Sequence, residues 1–239
     1  MTTFVRTRLI VMNLLQWAIW GAYLTSMGNY LGQVGFGANI GLFYAMQRIV
    51  SIFRPALMRI VADKWLGATK ALALCQFIAG AAMLSAGIYG AQAAPQFPVF
   101  MALYTISVAF YMPTIALSNS AAYSILEQNG YDTVKDFPPI RVFGTIGFIA
   151  SMWIMNFCKT AEGISFQNTH HQFIISGALG LALTLYCFTL PSVKHEKKSS
   201  QSLMDALGLS AFKLFKDRQM AVFFIFSMLL GVALQITNG

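Results

Sequence analysis

Apolar runs long enough to cross a bilayer recur along this 239-residue chain, and they leave it few folds to choose from. They lie at about Leu9 to Leu31, Ile40 to Ala62, Ala71 to Ala91, Phe97 to Leu117, Ile140 to Phe157 and Phe173 to Leu190. A seventh begins at Met220 and is cut off by the end of the chain at Gly239. A helix needs roughly 20 apolar residues to span about 30 Å of hydrocarbon. The runs are continuous rather than alternating, and every backbone group in lipid must be satisfied within its own segment, so helices are expected and a membrane barrel is not. With 57% hydrophobic and 10% charged residues the chain cannot cover a water-soluble core of this size with polar surface. The first run is too long for a cleaved signal and no small-x-small site follows it. The reading is an all-α, multi-pass membrane protein.

The net charge of +8 is compatible with nucleic-acid binding, but the placement of the charges argues for topology instead. Arg6, Arg8, Arg59, Lys64, Lys70, Lys135, Lys194, Lys197, Lys198, Lys213, Lys216 and Arg218 lie at the N-terminus or in the second, fourth and sixth loops, and Lys159 alone lies in an odd-numbered loop. By the positive-inside rule the N-terminus and the even loops are expected to be cytoplasmic. The cluster Lys194, His195, Glu196, Lys197, Lys198 then faces anionic headgroups, and nucleic acid is not an expected partner. Cys75, Cys158 and Cys187 have no CxxC spacing and read as small hydrophobes, so no metal is expected.

The polar stretch Pro191 to Ser202 suggests three parts: a six-helix bundle over 1–190, a cytoplasmic linker over 191–218, and the start of a second bundle over 219–239. Within the linker Leu203, Leu207, Ala211 and Leu214 recur at helical spacing with Lys213 and Lys216 on the polar side, which fits either an interfacial helix or one packed under the bundle. Gly28 and Gly32 make a GxxxG in the first run, and Gly144, Gly147 and Ser151 share a face of the fifth. Both patterns predict close helix packing.

Ionisable residues at membrane depth are costly, and here they are Arg48, Arg54 and Arg141, with no Asp or Glu well inside a span. Asp136, Phe137, Pro138 and Pro139 are expected to open the fifth helix, with proline in its first turn and the acid near its positive end. On that helix Arg141, Thr145 and Phe148 fall at i, i+4 and i+7, a guanidinium, a hydroxyl and a ring on one stripe that suits a polar, planar solute. The competing reading pairs Arg141 with Asp136 at the membrane surface. Gln235 and Asn238 share a face of the seventh run, and spacing alone favours interhelical hydrogen bonds over solute contact. Arg48 and Arg54 face either a polar cavity or partners beyond this chain. Trp17, Trp20, Tyr23 and Tyr111 read first as anchors and core. Adjacent His170 and His171 diverge on a helix, which argues against a shared metal. No HExxH, GxSxG or P-loop occurs, so neither a catalytic site nor a cofactor is expected.

Several blocks carry a resemblance. Phe137-Pro138-Pro139-Ile140-Arg141-Val142-Phe143-Gly144-Thr145-Ile146-Gly147-Phe148, the run from Phe223 to Gly231 followed by Leu234-Gln235-Ile236-Thr237-Asn238, Tyr111-Met112-Pro113-Thr114 and Ile60-Val61-Ala62-Asp63-Lys64-Trp65 resemble the bacterial nucleoside:proton symporters of the major facilitator superfamily. The resemblance covers the whole chain. It implies a proton-coupled nucleoside permease of the bacterial inner membrane working by alternating access, and nucleoside contacts at Arg141, Thr145, Phe148, Gln235 and Asn238. Asp63 and Lys64 match the superfamily's gating motif, while Arg59 stands where that motif has glycine. Arg48 and Arg54 replace residues that are uncharged in the family. Such permeases have twelve helices in two halves, so the chain is expected to be an N-terminal half plus part of helix seven, inactive alone and packed against a missing C-terminal half or a second copy. The alternative reading is a transporter-derived structural or regulatory membrane protein that self-associates.

Overall fold

A computed structural model describes residues 2–61, 67–191 and 217–237, with side chains except those of 52–61, 218 and 232–237. The chain divides into two compact units, Met1–Lys197 and Lys198–Gly239. The described residues of the first unit fold into α1 (Thr3–Gly21), α2 (Met27–Gln33), α3 (Ile40–Val61), α4 (Ala68–Gly90), α5 (Phe97–Gln128), α6 (Thr133–Phe157) and α7 (His171–Cys187). In the second unit α8 runs over Arg218–Thr237. Asp217 caps it, accepting a hydrogen bond from the Gln219 amide at 2.9 Å. Among the described residues α4, α5 and α6 are long and apolar enough to cross a membrane, and α7 is a shorter apolar helix.

The first apolar run is not one regular helix. It is shared by α1 and α2, and between them Leu24 N donates to Trp20 O at 3.0 Å and Ser26 N to Tyr23 O at 3.3 Å. The ladder tightens there into turns. Ser26 Oγ then donates to Gln172 Oε1 at 2.8 Å, locking the junction to the start of α7. The fifth run also departs from expectation, since α6 begins at Thr133, before the prolines rather than at them. Asp132 is its cap, accepting from Val134 N at 2.9 Å, and the helix runs on through Pro138 and Pro139 in its second turn. The preceding helix, α5, closes with Tyr131 N donating to Leu126 O and Gly130 N to Glu127 O, with Gly130 at φ 75°. That left-handed closure ends α5 and aims the chain into α6.

Lipid offers no hydrophobic force to press helices together, so close backbone contact and interhelical hydrogen bonds must hold this bundle. α4 packs on α5 and α7, α1 on α6 and α7, and α3 on α5. At the α4–α7 crossing a Cβ on Gly177 would lie 2.5 Å from Leu84 N, and one on Gly80 would lie 3.0 Å from Gly177 O. At the α1–α6 crossing a Cβ on Gly147 would strike the Leu14 carbonyl, and one on Gly21 the Phe148 carbonyl. Gly144, Gly147 and Ser151 are indeed buried together. Gly28 and Gly32 do not form a close crossing: nothing lies within 4 Å of a Cβ at Gly32, and at Gly28 the nearest atom is 3.8 Å away.

In the core Tyr23, Phe43, Phe100, Tyr104 and Phe173 are fully buried, with ring centroids between 5.0 and 6.2 Å apart. A polar triad ties three helices. Gln16 Nε2 donates to Thr114 Oγ1 at 2.8 Å, and Gln76 Nε2 donates to Gln16 Oε1 at 2.8 Å. Tyr111 OH donates to the Gln16 carbonyl at 2.6 Å. Packing around the triad leaves no void for a water where Ile19, Tyr23, Gln76, Gly80, Tyr111 and Ser176 meet.

Candidate functional site

The triad decides where α1 points its next residue. Gln16 faces α4 and α5, and one step along a helix turns about 100°, which carries Trp17 toward α6. There the Arg141 guanidinium lies over the indole, with Cζ 3.9 Å from the ring centroid. One turn further Trp20 stands 5.7 Å from Trp17, 6.4 Å from Tyr111 and 6.3 Å edge-on to Phe148. Gly144 makes the contact possible, because a Cβ there would meet Trp17 Cδ1 at 2.6 Å and Arg141 Nη1 at 2.7 Å.

Arg141 and Phe148 are half-buried and Thr145 between them is exposed, so the stripe is open on one side. Magnitudes show what that opening must hold. Arginine at the centre of a bilayer costs about 2.5–3.5 kcal/mol on insertion scales, while a largely desolvated cation–π contact is worth about 2 kcal/mol. The indole therefore offsets only part of the burden, and the free donors of the fork require water or a polar solute. Pairing with Asp136 is not what the structure shows. The described carboxylates, Glu127, Asp132, Asp136, Glu162 and Asp217, all lie at helix ends or in loops.

The other expected residues distribute differently. Arg48 is exposed on α3 rather than buried in a cavity. Gln235 belongs to α8, but its side chain lies outside the described residues, as do Asn238, Asp63, Lys64, the side chains of Arg54 and Arg59, and the linker from Leu203 to Lys216. His170 and His171 do not diverge. His170 precedes α7 as its cap residue, and the two rings stack at 4.4 Å. No group of three or more metal-ligating side chains occurs among the described residues.

Periodicity missed Trp17 as a partner of Arg141 and missed the buried glutamines. A signal existed for the latter: Gln16, Gln47, Gln76 and Gln172 are uncharged polar residues inside or beside apolar runs, where each needs a partner. An apolar groove of about 460 Å³ lined by Met46, Phe97, Met101, Thr105 and Ile106 lies on α3 and α5, has no α1 or α6 residue in its wall, and offers almost no polar surface.

Glycine-lined crossings, long apolar helices and a half-open arginine with aromatic rings beside it define a multi-pass helical membrane bundle with one polar, partly open face. The chain belongs to the family Nucleoside H+ symporter, whose model matches residues 1–239. It is 43% identical over 234 residues to the xanthosine permease of Escherichia coli (strain K12), covering 97% of this chain and 53% of that protein. It is 42% identical over 236 residues to the nucleoside permease NupG of the same organism, covering 98% and 54%. Crystal structures of the nucleoside transporter NupG superpose with TM-scores of 0.82 for a mutant form and 0.78 for another, at 41% and 40% identity. Each alignment covers 98% of this chain and 56% of the other. The fold is thus the all-helical transporter fold of these relatives, and the chain spans about half the length of the curated relatives it matches.

Proposed function

We propose that this chain forms one wall of the nucleoside path in a proton-coupled symporter of the bacterial inner membrane that works by alternating access. The observation that supports this most is the open side of Arg141: a guanidinium with a ring beneath it, a ring further along the same stripe, and, among the described residues, no carboxylate paired with its donors. Five N–H donors in a fixed plane match the carbonyls of a nucleobase and the hydroxyls of a ribose. Thr145 adds a hydroxyl, and Phe148 a flat apolar surface for the base. The resemblance assigns Gln235 and Asn238 to the same solute, since carboxamides give and accept hydrogen bonds together. Asp63 and Lys64 carry the gating role on the same ground.

The proton-coupling carboxylate is not among the described spans of this chain, and helices of a C-terminal bundle or of a second copy supply the facing wall. The three-part organisation, with a bundle over 1–190, a linker over 191–218 and a new helix from 219, belongs to this proposal. So does a cytoplasmic N-terminus. Its support, beside the basic loops, is that one end of the bundle gathers the N-terminus, the α5–α6 turn and the end of α7: Thr2 N donates to Tyr131 OH at 2.9 Å, and Tyr186 OH to the Arg8 carbonyl at 3.3 Å.

Equilibrium binding of radiolabelled uridine and adenosine to the protein in nanodiscs tests the site. Arg141→Ala is expected to lower affinity by about tenfold or more, because charge-assisted hydrogen bonds to the solute are lost. Arg141→Lys is expected to bind poorly too, since an ammonium cannot reproduce a planar fork. Unchanged binding by a well-folded Arg141→Ala protein would return Arg141 to a packing role.

A further inference from the structure

Trp17 stands out among the groups that the family resemblance leaves without a role. Its indole Nε1 is buried and has no hydrogen-bond acceptor, and the same holds for Trp20. A leucine or phenylalanine would fill much of that volume without stranding a donor, which is unfavourable in a buried site. What only an aromatic ring supplies is the electron-rich face, and on that face lies the Arg141 guanidinium at 3.9 Å. The slot is built on both sides: Gly144 leaves no room for a Cβ between Trp17 Cδ1 and Arg141 Nη1. From behind, the neighbouring Gln16 is held by Thr114 and Gln76, with its carbonyl taken by Tyr111.

We propose that Trp17 is a positioning residue for solute binding, its indole face standing in for a carboxylate as the partner that holds the Arg141 guanidinium in the plane from which its donors reach the solute. A carboxylate would neutralise the guanidinium and occupy its fork edge. A ring engages the face and leaves the edge free. The proposal rests on the reading of Arg141 as a nucleoside contact, and it adds a residue on a different helix that touches the solute only through the arginine. It also gives Gly144 a reason beyond packing, because alanine there would wedge ring and guanidinium apart.

The test is uridine binding to the protein in nanodiscs across a set of variants. Trp17→Leu is expected to weaken binding about tenfold, the scale of one lost cation–π contact. Trp17→Phe and Trp17→Tyr, which keep a ring, are expected to restore most of it. In an Arg141→Gln background Trp17→Leu is expected to add nothing, because the residue acts through the arginine. Gly144→Ala is expected to reproduce the loss, and it also serves if Trp17→Leu fails to fold. A spectroscopic readout is 19F NMR of 5-fluorotryptophan-labelled protein, in which the Trp17 line, assigned by Trp17→Phe, shifts on Arg141→Gln. Equal losses for Trp17→Leu and Trp17→Phe, a loss that persists in Arg141→Gln, or normal binding by Trp17→Leu and Gly144→Ala beside a deficient Arg141→Gln would overturn the positioning role alone. Normal binding by Arg141→Gln would instead overturn the reading of the site on which the proposal rests.

Discussion

Where α4 crosses α7, Gly80, Gly177 and Gly180 bring two backbones together, and the neighbouring Gln76, Ala79, Met83, Ser176 and Leu183 are buried. Where α1 crosses α6, Gly21, Gly144 and Gly147 do the same for another pair, but the residues beside them are Trp17, Trp20, Arg141 and Phe148, each partly open. The first crossing meets backbone against backbone, and there is nowhere for a solute to enter. In the second, one glycine of three faces side-chain ends rather than main chain. Small residues let helices approach in both places. What separates a static joint from a candidate binding wall is whether the atoms filling the gap belong to a rigid backbone or to side chains with a free edge.

The sharpest way to break that comparison is to put the same methyl group in both crossings. Gly177→Ala places a Cβ 2.5 Å from Leu84 N and 2.7 Å from Leu84 Cα, where only a shift of a helix gives relief. A loss of about 3 kcal/mol or more is expected, at the upper end of overpacking effects, read as a fall in monodisperse protein and in thermal unfolding temperature. Gly144→Ala meets side-chain ends and is expected to leave the fold intact while impairing solute binding. Equal stability of the two proteins would erase the distinction.

A smaller effect probes the polar joint linking both crossings. Gln76→Leu removes the donor to Gln16 Oε1, and about 1 kcal/mol is expected, the scale of hydrogen bonds between membrane helices. Reversible unfolding in mixed detergent micelles measures it, and a loss several times larger would mean that the triad positions α1 rather than merely joining it.

Outside the spans, the loop between α6 and α7 offers a weaker handle. His170 is held below its ordinary value by burial first and by the neighbouring His171 second. Its neutral form is thus favoured in the folded protein, and the unfolded chain binds more protons just below the usual histidine value of about 6.5. Stability is expected to be fully present above that value and to decline as pH falls through it, a decline that His170→Gln removes. Parallel pH profiles of thermal unfolding for the two proteins would discard this account. The smallest effect is expected at Gly32, where the added methyl of Gly32→Ala meets nothing within 4 Å; stability should stay within about 0.5 kcal/mol, the range for surface changes. A large loss there would mean that the GxxxG of the first run packs after all.

Much of the fold was legible because its determinants are local. Length and continuity of the apolar runs specify helices in a bilayer wherever they occur, and the 3.6-residue period places Gly144, Gly147 and Ser151 on one face of α6 before anything is known of α1. The confinement of the described carboxylates to helix ends and loops is likewise a property of the chain itself. Errors arose where two local signals competed. Pro138 and Pro139 looked like the opening of α6, but Asp132 supplies a cap six residues earlier, and the helix tolerates both prolines close to its end.

Tertiary structure alone decided the partners. Periodicity says which face a residue occupies and nothing about what stands opposite, so the GxxxG at Gly28 and Gly32 and the glycines at 80, 177 and 180 read alike until the helices are in place. The bond from Gln16 to Thr114 joins residues 98 apart in sequence, and the contact of Arg141 with Trp17 likewise joins the first and sixth helices. Asp136, five residues from Arg141, was the local choice of counter-charge. The ring prevailed because crossing through Gly144 puts an aromatic face within van der Waals reach of the guanidinium. Such proximity between distant segments is a product of packing, which no one-dimensional pattern encodes.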